Sequence, residues 1–275
     1  MKPRRALLIA VVAGVAAAVG TWAALTPSNE RPWVPQQARL TSVAFSDSTV
    51  RVHDVRNFSF TGPDRFTRAY YDTSYDLNKL ETAWFVVVPF SKRWRGPAHT
   101  FVSFGFTDSQ YVSISVEARR EKGELYTPLQ GLLKRFELIY VVGDERDVIG
   151  QRAAFSNEEV YLYPIRAPRE RIRQVFVEML RRASDLRGAP EFYNTLTNNC
   201  TSNLVRHVNH VVPGKVPGGI KIMLPGYADE VAQRLGLIDT ELDLEQARER
   251  FRINDRARRY IDDPMFSLRI RETSP

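Results

Sequence analysis

The sequence is poor in cysteine, since its 275 residues contain only Cys200. A single cysteine excludes an intramolecular disulfide, and it also excludes a zinc site built from several thiolates. The four histidines and the acidic residues do not cluster at the spacing of metal ligands. We therefore predict neither a metal nor another cofactor, and the lone thiol needs an explanation of its own.

Motifs for nucleotide and nucleic-acid binding are also absent. The stretch "PGKVPGG" (213–219) lacks the first glycine and the Ser/Thr of a phosphate-binding loop, and there is no dinucleotide fingerprint. The net charge of +7 is spread along the chain without blocks of Lys/Arg or the aromatic signatures of RNA-binding modules. We therefore expect no nucleic-acid partner, whereas an anionic membrane surface would attract such a protein.

Only one long apolar run is found. It extends from Ala6 to Leu25, carries no charge and follows three basic residues. A helix of this length can cross about 30 Å of hydrocarbon. The run is longer than the apolar core of most signal peptides, which favours a signal anchor, although Ala23 and Ala24 allow cleavage. In both cases the remainder of the chain is expected in the periplasm, either as a single-pass inner-membrane protein or as a free periplasmic protein.

The rest of the chain divides by composition into three parts. Residues 26–38 contain three prolines and predict an extended linker. Residues 39–240 have the apolar content of a folded domain, and residues 241–275 form a strongly charged tail with helical character and few apolar anchors. We therefore predict a membrane segment over 1–25, a linker, one periplasmic domain and a charged helical tail.

Within the domain, strands precede helices. Short runs rich in branched and aromatic residues predict strands over 49–60, 84–90, 99–106, 111–118, 136–142 and 159–165. Apolar residues at helical spacing then predict one helix after Pro168, a second from Cys200 to before Pro213, and a short third one over 229–235. This order predicts an α+β fold, in which helices pack on an antiparallel sheet.

Cys200 stands at the start of the second of these helices. Leu204, Val208 and Val211 follow on the same side, so Cys200 begins the stripe that faces the core. The unpaired N–H groups of a first helical turn stabilise a thiolate, which is the form that acts as a nucleophile. Free cysteines are also common as small buried residues, so the sequence allows both a catalytic and a packing role.

A catalytic thiol needs a base, and helix geometry narrows the choice. His207 lies about 10 Å and His210 about 15 Å along the helix axis from Cys200, which is beyond hydrogen-bond distance. His53 is interpreted as a histidine on the surface of a strand. His99, which begins the strand "HTFVSFGF", is the remaining candidate.

The hairpin that follows His99 suggests a third group. The apolar faces of its two strands coincide only if the residue numbers of each cross-strand pair add up to an even number. A turn centred on Asp108 meets this condition and places Glu117 opposite His99. A carboxylate beside an imidazole orients it and stabilises its charged form. An ordinary exposed strand residue is the alternative for Glu117.

Four ordered segments carry a resemblance to a known family: "HTFVSFGF", "SVEARREKGELYTP", "ELIYVVGDERDVIGQR" and "FYNTLTNNCTSNL". They resemble the Lnb N-terminal periplasmic domain family over Ser59 to Val216. The resemblance implies a permuted papain-like thiol fold, in which the strand histidine precedes the helix cysteine, as in lecithin retinol acyltransferase. The family's named member is a bacterial lipoprotein N-acyltransferase. By resemblance, Cys200 would accept an acyl chain as a thioester, with His99 as its base.

The main hypothesis is therefore an envelope thiol enzyme, an acyltransferase or hydrolase that acts on lipid or lipoprotein acyl groups through Cys200, His99 and Glu117. Its expected partners are inner-membrane lipid or lipoprotein and the membrane surface. For the oxyanion hole we expect the Cys200 backbone N–H with the side chain of Asn198 or Asn199, although both asparagines also suit helix capping. A cysteine peptidase or amidase and a non-enzymatic envelope scaffold are the alternatives.

Overall fold

A computed structural model describes residues 3–91, 96–156, 158–217 and 225–272. The first two residues of the predicted membrane segment and the last two of the predicted loop 213–219 lie outside the described residues.

Across the part of the chain that the structure describes, one sheet of eight strands forms the centre of the protein. Its strands are β1 (Ser42–Ser46), β2 (Thr49–Arg56), β5 (Tyr70–Asp76), β6 (Leu80–Pro89), β7 (Ala98–Phe106), β8 (Tyr111–Arg119), β9 (Glu137–Gly143) and β10 (Tyr161–Pro164). They follow one another in the order β1-β2-β9-β8-β7-β6-β10, and β5 also pairs with β2. A separate small pair consists of β3 (Ser59–Phe60) and β4 (Phe66–Thr67). Neighbouring strands of the large sheet run antiparallel, except that β2 and β9 pair in parallel at Arg56 and Gly143. The predicted sheet is thus confirmed in outline, with one parallel junction added.

Strand β7 lies inside this sheet and is buried along its whole length. Its side chains alternate between two faces because successive residues of a strand point in opposite directions. We call the face that carries Thr100, Val102, Phe104 and Phe106 the front face. The back face carries His99, Phe101 and Ser103. Both faces are covered, which explains why β7 contains almost no solvated position.

Helices pack on both faces of the sheet. The helices of the described residues are α1 (Pro3–Ala24), α2 (Pro128–Leu132), α3 (Glu145–Gly150), α4 (Arg169–Asp185), α5 (Cys200–Val211), α6 (Ala228–Arg234), α7 (Leu244–Phe251), α8 (Asn254–Tyr260) and α9 (Phe266–Arg269). On the front face, Phe176 of α4 contacts Phe104 with 4.9 Å between ring centroids. The front-face core also contains Cys200 and Leu204 of α5. On the back face, α3 continues directly into a π-helical turn over Gln151–Phe155. The mixture of one central sheet and packed helices agrees with the predicted fold class.

Helix α1 covers most of the apolar run at the N-terminus, and several of its valines are exposed. Within the described residues, we find no helix that combines the length and apolarity required to cross a membrane.

The segment 26–38, predicted as an extended linker, packs closely on the sheet instead. Trp33 is buried beneath the guanidinium of Arg119, which lies 4.2 Å from the ring centre. Ser28 donates its backbone N–H to the carboxylate of Glu137, and Gln37 is buried. Arg119 and Glu137 pair at the ends of β8 and β9, and the segment supplies hydrogen-bond partners to both. Proline content alone does not reveal such contacts.

The charged tail likewise belongs to the folded domain. Ile253, Ala257, Phe266 and Ile270 are buried in one apolar cluster with Phe101 and its neighbours on the back face of the sheet. A few apolar residues are enough to hold the tail on the sheet, because each of them is almost fully removed from water. The tail is therefore helical as predicted, and it also forms part of the back-face core.

The substitution Phe266→Ala tests this role of the tail. Removing a fully buried phenylalanine should lower the free energy of unfolding by about 3–5 kcal/mol, through lost burial and the cavity left behind. Met265→Ala is the matched control, since Met265 is 46% exposed and its loss should change stability little. Urea denaturation of both variants measures the difference. Equal stability of the two variants would contradict the assignment of the tail to the core.

Candidate thiol site and histidine network

Cys200 is the first residue of α5, as predicted, and Asn199 caps this helix. The Asn199 side chain accepts a hydrogen bond from the Ser202 backbone N–H at 2.8 Å, and the Ser202 hydroxyl accepts one from the Asn199 backbone N–H at 2.8 Å. This reciprocal pair fixes the point at which the helix starts. Cys200 is 5% exposed and packs into the front-face core.

The asparagines proposed for an oxyanion hole are engaged in local structure. The amide N–H groups of Asn199 and Asn198 donate to the backbone carbonyls of Thr195 and Phe192, at 2.6 Å and 2.9 Å. Asn203 donates in turn to the Asn198 side-chain oxygen at 3.0 Å. Their observed role is to cap the helix and hold the preceding loop. Donors for an oxyanion at Cys200 would then come from the backbone of the first turn.

The structure brings His99 and Glu117 together on the back face. The β7–β8 ladder pairs Val102 with Ile114 and Ser103 with Ser113, which is the predicted register. His99 Nε2 lies 3.9 Å from Glu117 Oε1. Ser115 bridges the two groups, with its hydroxyl 2.7 Å from His99 Nε2 and 2.9 Å from Glu117 Oε1.

These hydrogen bonds assign the proton on His99. An ionised carboxylate only accepts, so the Ser115 hydroxyl donates to Glu117 and its oxygen accepts from His99 Nε2–H. A neutral imidazole protonated at Nε2 has its lone pair on Nδ1. Glu117 therefore orients the ring through Ser115, and Nδ1 is the nitrogen that can accept a proton.

The charges around this network keep His99 neutral and Glu117 ionised. Burial and the nearby Arg152 guanidinium lower the pKa of His99 to about 3. Burial would raise the pKa of Glu117, but the positive charges of Arg152, at 3.6 Å, and Arg56 together with a hydrogen bond outweigh it, and the pKa falls well below its usual range. The Gln37 side chain donates this hydrogen bond to Glu117 at 2.8 Å.

The structure does not bring Cys200 and His99 into contact. The residue of β7 that faces α5 is Thr100, whose hydroxyl lies 3.0 Å from that of Thr201, the residue after Cys200. His99 is on the opposite face because side chains alternate along a strand. The Cys200 sulfur has its hydrogen-bond contact with Thr201 Oγ1 at 3.8 Å. The two predicted partners thus flank a pair of touching threonines, on either side of β7.

An apolar cavity of about 390 Å³ lies on the front face beside α5. Its walls come from the sheet, α4, α5 and α6, and include Phe104, Val175, Leu204, Val208 and Val231. Thr201 also lines it, so the cavity begins one residue from Cys200. Its volume falls within the range of small-molecule sites.

The other histidines have separate partners. His207 is buried between the Tyr140 hydroxyl, at 2.8 Å, and Glu178, at 3.2 Å, and His210 contacts the same carboxylate. His53 pairs with Asp72 on the strand surface. Over the described part of the chain, no group of three or more His, Cys, Asp or Glu side chains is arranged to hold a metal ion.

Three members of the network were not predicted. Ser115 had a usable signal, because it lies two residues before Glu117 and therefore on the same face of β8. Arg152 belongs to a π-helical turn, which the local sequence does not indicate. Such turns often occur at functional sites. Gln37 lies in a segment that composition suggested was a linker.

A comparison with family models matches residues 66–225 to the Lnb N-terminal periplasmic domain. The match spans more than half of the chain. The chain belongs to this family. No curated protein and no solved structure matched the chain. Family membership identifies a periplasmic protein of the bacterial envelope and confirms the expected resemblance.

The buried histidine predicts a dependence of stability on pH. Because the pKa of His99 is about 3 in the folded state and 6.5 for the free group, the unfolded chain binds more protons between these values. The free energy of unfolding should therefore fall as pH drops below about 6.5, and the lowered pKa of Glu117 adds to the loss at more acidic pH.

We test this dependence of stability on pH by measuring the unfolding midpoints of wild type and His99→Gln between pH 7 and pH 4. The variant should lose less stability over this interval than wild type does. His53→Gln is the control, since His53 pairs with Asp72 on the strand surface and its removal should not lessen the loss of stability at acidic pH. Equal slopes for wild type and His99→Gln would show that His99 is not buried as a neutral group.

Proposed function

We propose that the protein is an envelope thiol enzyme in which Cys200 accepts an acyl group from a lipid or lipoprotein ester. The observation that carries the proposal is the position of the thiol, at the capped start of α5 and one residue from an apolar cavity on the same face. The helix start stabilises a developing thiolate, and the cavity suits a hydrocarbon chain. Family membership supports the same class of chemistry.

The proposed reaction has two steps. In the first, the Cys200 sulfur attacks the ester carbonyl, a C–S bond forms, and the C–O bond to the lipid alcohol breaks after the thiol proton passes to the leaving oxygen. In the second, an amine or water attacks the thioester, which yields an amide or a free acid and restores the thiol. The N–H groups of the first turn of α5 would stabilise the oxyanion in both steps.

His99 is the proposed base, with Ser115 and Glu117 as positioning residues. Its pKa keeps the imidazole neutral at periplasmic pH, and its accepting nitrogen is Nδ1. The ladder between β7 and β8 pairs residues only as far as Val102 and Ile114, so His99 lies where the two strands have separated. The proposal requires the imidazole to turn from Ser115 toward Cys200 at this opening. The order of a strand histidine before a helix cysteine supports a permuted papain-like arrangement.

The N-terminal helix suits an enzyme whose substrate lies in the membrane. Helix α1 exposes apolar side chains, and basic residues precede the run. We propose that it anchors the protein to the inner membrane, with the domain on the periplasmic side. The thiol would then act at the membrane surface, where lipid and lipoprotein esters occur.

Thioester trapping tests the nucleophile and the base. The full chain, incubated with radiolabelled phospholipid and quenched in acid, should carry a label that hydroxylamine releases. Cys200→Ala should abolish the label, and His99→Gln should slow its formation by about 100-fold or more, as expected when a general base is lost. His53→Gln is the matched histidine control and should load at the wild-type rate.

Three results would overturn parts of the proposal. Absence of a hydroxylamine-sensitive label on folded wild type would reject the lipid acyl donor, and a label from muropeptides instead would identify a peptidase or amidase. Normal loading of His99→Gln would assign the proton transfer to another group. Circular dichroism of each variant shows whether it is folded.

The cavity predicts a preference for long acyl chains. Val208→Trp places a large side chain into the open space and should lower loading from a long-chain donor by at least about 10-fold, because each buried methylene contributes about 0.8 kcal/mol. Loading from a short-chain ester should change little. Arg206→Trp, on the exposed side of the same helix, is the control. An equal loss with both donors would show that the cavity does not hold the chain.

A further inference from the structure

Four leucines near the start of α5 are unusually exposed. The exposed fractions are 78% for Leu125, 65% for Leu129, 54% for Leu133 and 44% for Leu196. Single exposed leucines need no explanation, but a group of large apolar side chains left in water indicates an interaction site. We call these four residues the leucine patch.

The patch is assembled from two segments that contact each other. Leu129 and Leu133 are spaced by one helical turn at α2, so their side chains lie on the same side. The Thr195 hydroxyl donates to the Pro128 carbonyl at 2.7 Å, which places Leu196 beside α2. Gly131 permits this approach, since a Cβ there would lie 2.2 Å from the Thr195 hydroxyl. Leu125 is joined to the group through its neighbour Tyr126, whose hydroxyl lies 3.3 Å from that of Tyr193. These contacts fix the grouping.

The end of helix α1 lies next to the patch. Lys134 follows Leu133 directly and donates to the Trp22 backbone carbonyl at 3.3 Å, with its ammonium 4.5 Å from the centre of the Trp22 ring. Trp22 and Leu25 are themselves exposed. The exposed apolar surface of α1 therefore approaches the leucine patch through this contact, and a basic side chain lies at the junction.

We propose that the leucine patch inserts into the surface of the membrane. A lipid surface would cover the apolar side chains of α1 and of the patch together. Lys134 at the junction and the exposed Lys122 nearby suit anionic head groups. Leucines at the edge of a folded domain, next to lysines, are typical of proteins that lie on a bilayer.

Insertion of the patch would also position the thiol, a consequence that rests on the proposed function. Leu196 precedes Cys200 by four residues, and the Asn199 side chain that caps α5 donates to the Thr195 carbonyl. The start of α5 is therefore held to the inserted segment by a hydrogen bond. A lipid ester would reach Cys200 from the bilayer without crossing water.

Site-specific fluorescence measures insertion independently of catalysis. Because Cys200 is the only cysteine, Cys200→Ala in the full chain provides a background for single cysteines at Leu129, Leu196 and the control position Leu242, each labelled with bimane. Leu242 is also exposed but lies away from the patch, after α6. The proteins are reconstituted in vesicles of phosphatidylethanolamine and phosphatidylglycerol with nitroxide-labelled lipids. The labels at Leu129 and Leu196 should be quenched, and the label at Leu242 should not.

Absence of quenching at Leu129 and Leu196 would overturn the proposal, and so would equal quenching at all three positions. A patch that binds a protein instead would remain unquenched in pure lipid vesicles. Quenching at Leu129 and Leu196 alone would support it even if Cys200 never formed a thioester, so this proposal and the enzymatic one can fail separately.

A second experiment connects the patch to the thiol. The double variant Leu129→Glu with Leu133→Glu should lower loading of Cys200 from vesicles by about 10-fold or more, since charged side chains oppose insertion. Loading from a soluble short-chain ester should stay at the wild-type rate, because the variant changes no residue of the site. Unchanged loading from vesicles would show that insertion of the patch does not deliver the substrate.

Discussion

The alternation of side chains along β7 is the constraint on which the rest of the structure depends. Each residue of this buried strand must face one of two layers, and the next residue must face the other. Thr100 therefore contacts α5, while His99 contacts the back-face network. The strand separates a front layer, with the thiol and the apolar cavity, from a back layer of buried charges. It also fixes the position of the two layers relative to each other, because residues of the same strand contact both.

The back layer explains why the ends of the chain are integral to the domain. A buried carboxylate such as Glu117 is stable only with partners, and these come from Arg152 in the π-helical turn and Gln37 in the N-terminal segment. The same holds for Glu145, which accepts hydrogen bonds from Ser103 and from Arg271 in the tail. Removing either end would take one of these partners away, Gln37 from Glu117 or Arg271 from Glu145, and breaking a buried pair costs more than the pair contributes when intact. Segments that look like linker and tail in composition are therefore parts of the core.

The front layer gathers the features that suit acyl chemistry. The thiol lies at a capped helix start, and an apolar cavity begins one residue away. The exposed leucine patch begins four residues earlier, and the loop that Asn198 and Asn199 hold connects it to the thiol. The proposed base belongs to the other layer, at the point where β7 and β8 separate. The proposed chemistry therefore requires the imidazole to turn around the edge of β7 at this opening.

The sequence by itself determined the local elements and the pairs set by periodicity. The start of α5 at Cys200 followed from capping residues and apolar spacing, and the proximity of His99 and Glu117 followed from the register of one hairpin, because both depend on neighbours in the chain. The exclusion of His207 and His210 as partners of the thiol rested on helix geometry in the same way. Only the tertiary structure decided the rest. It placed His99 and Cys200 on opposite faces, inserted Ser115 between His99 and Glu117, and recruited Arg152 and Gln37 from distant segments. Those contacts satisfy buried polar groups across the fold, and local periodicity carries no information about which distant residue will do so.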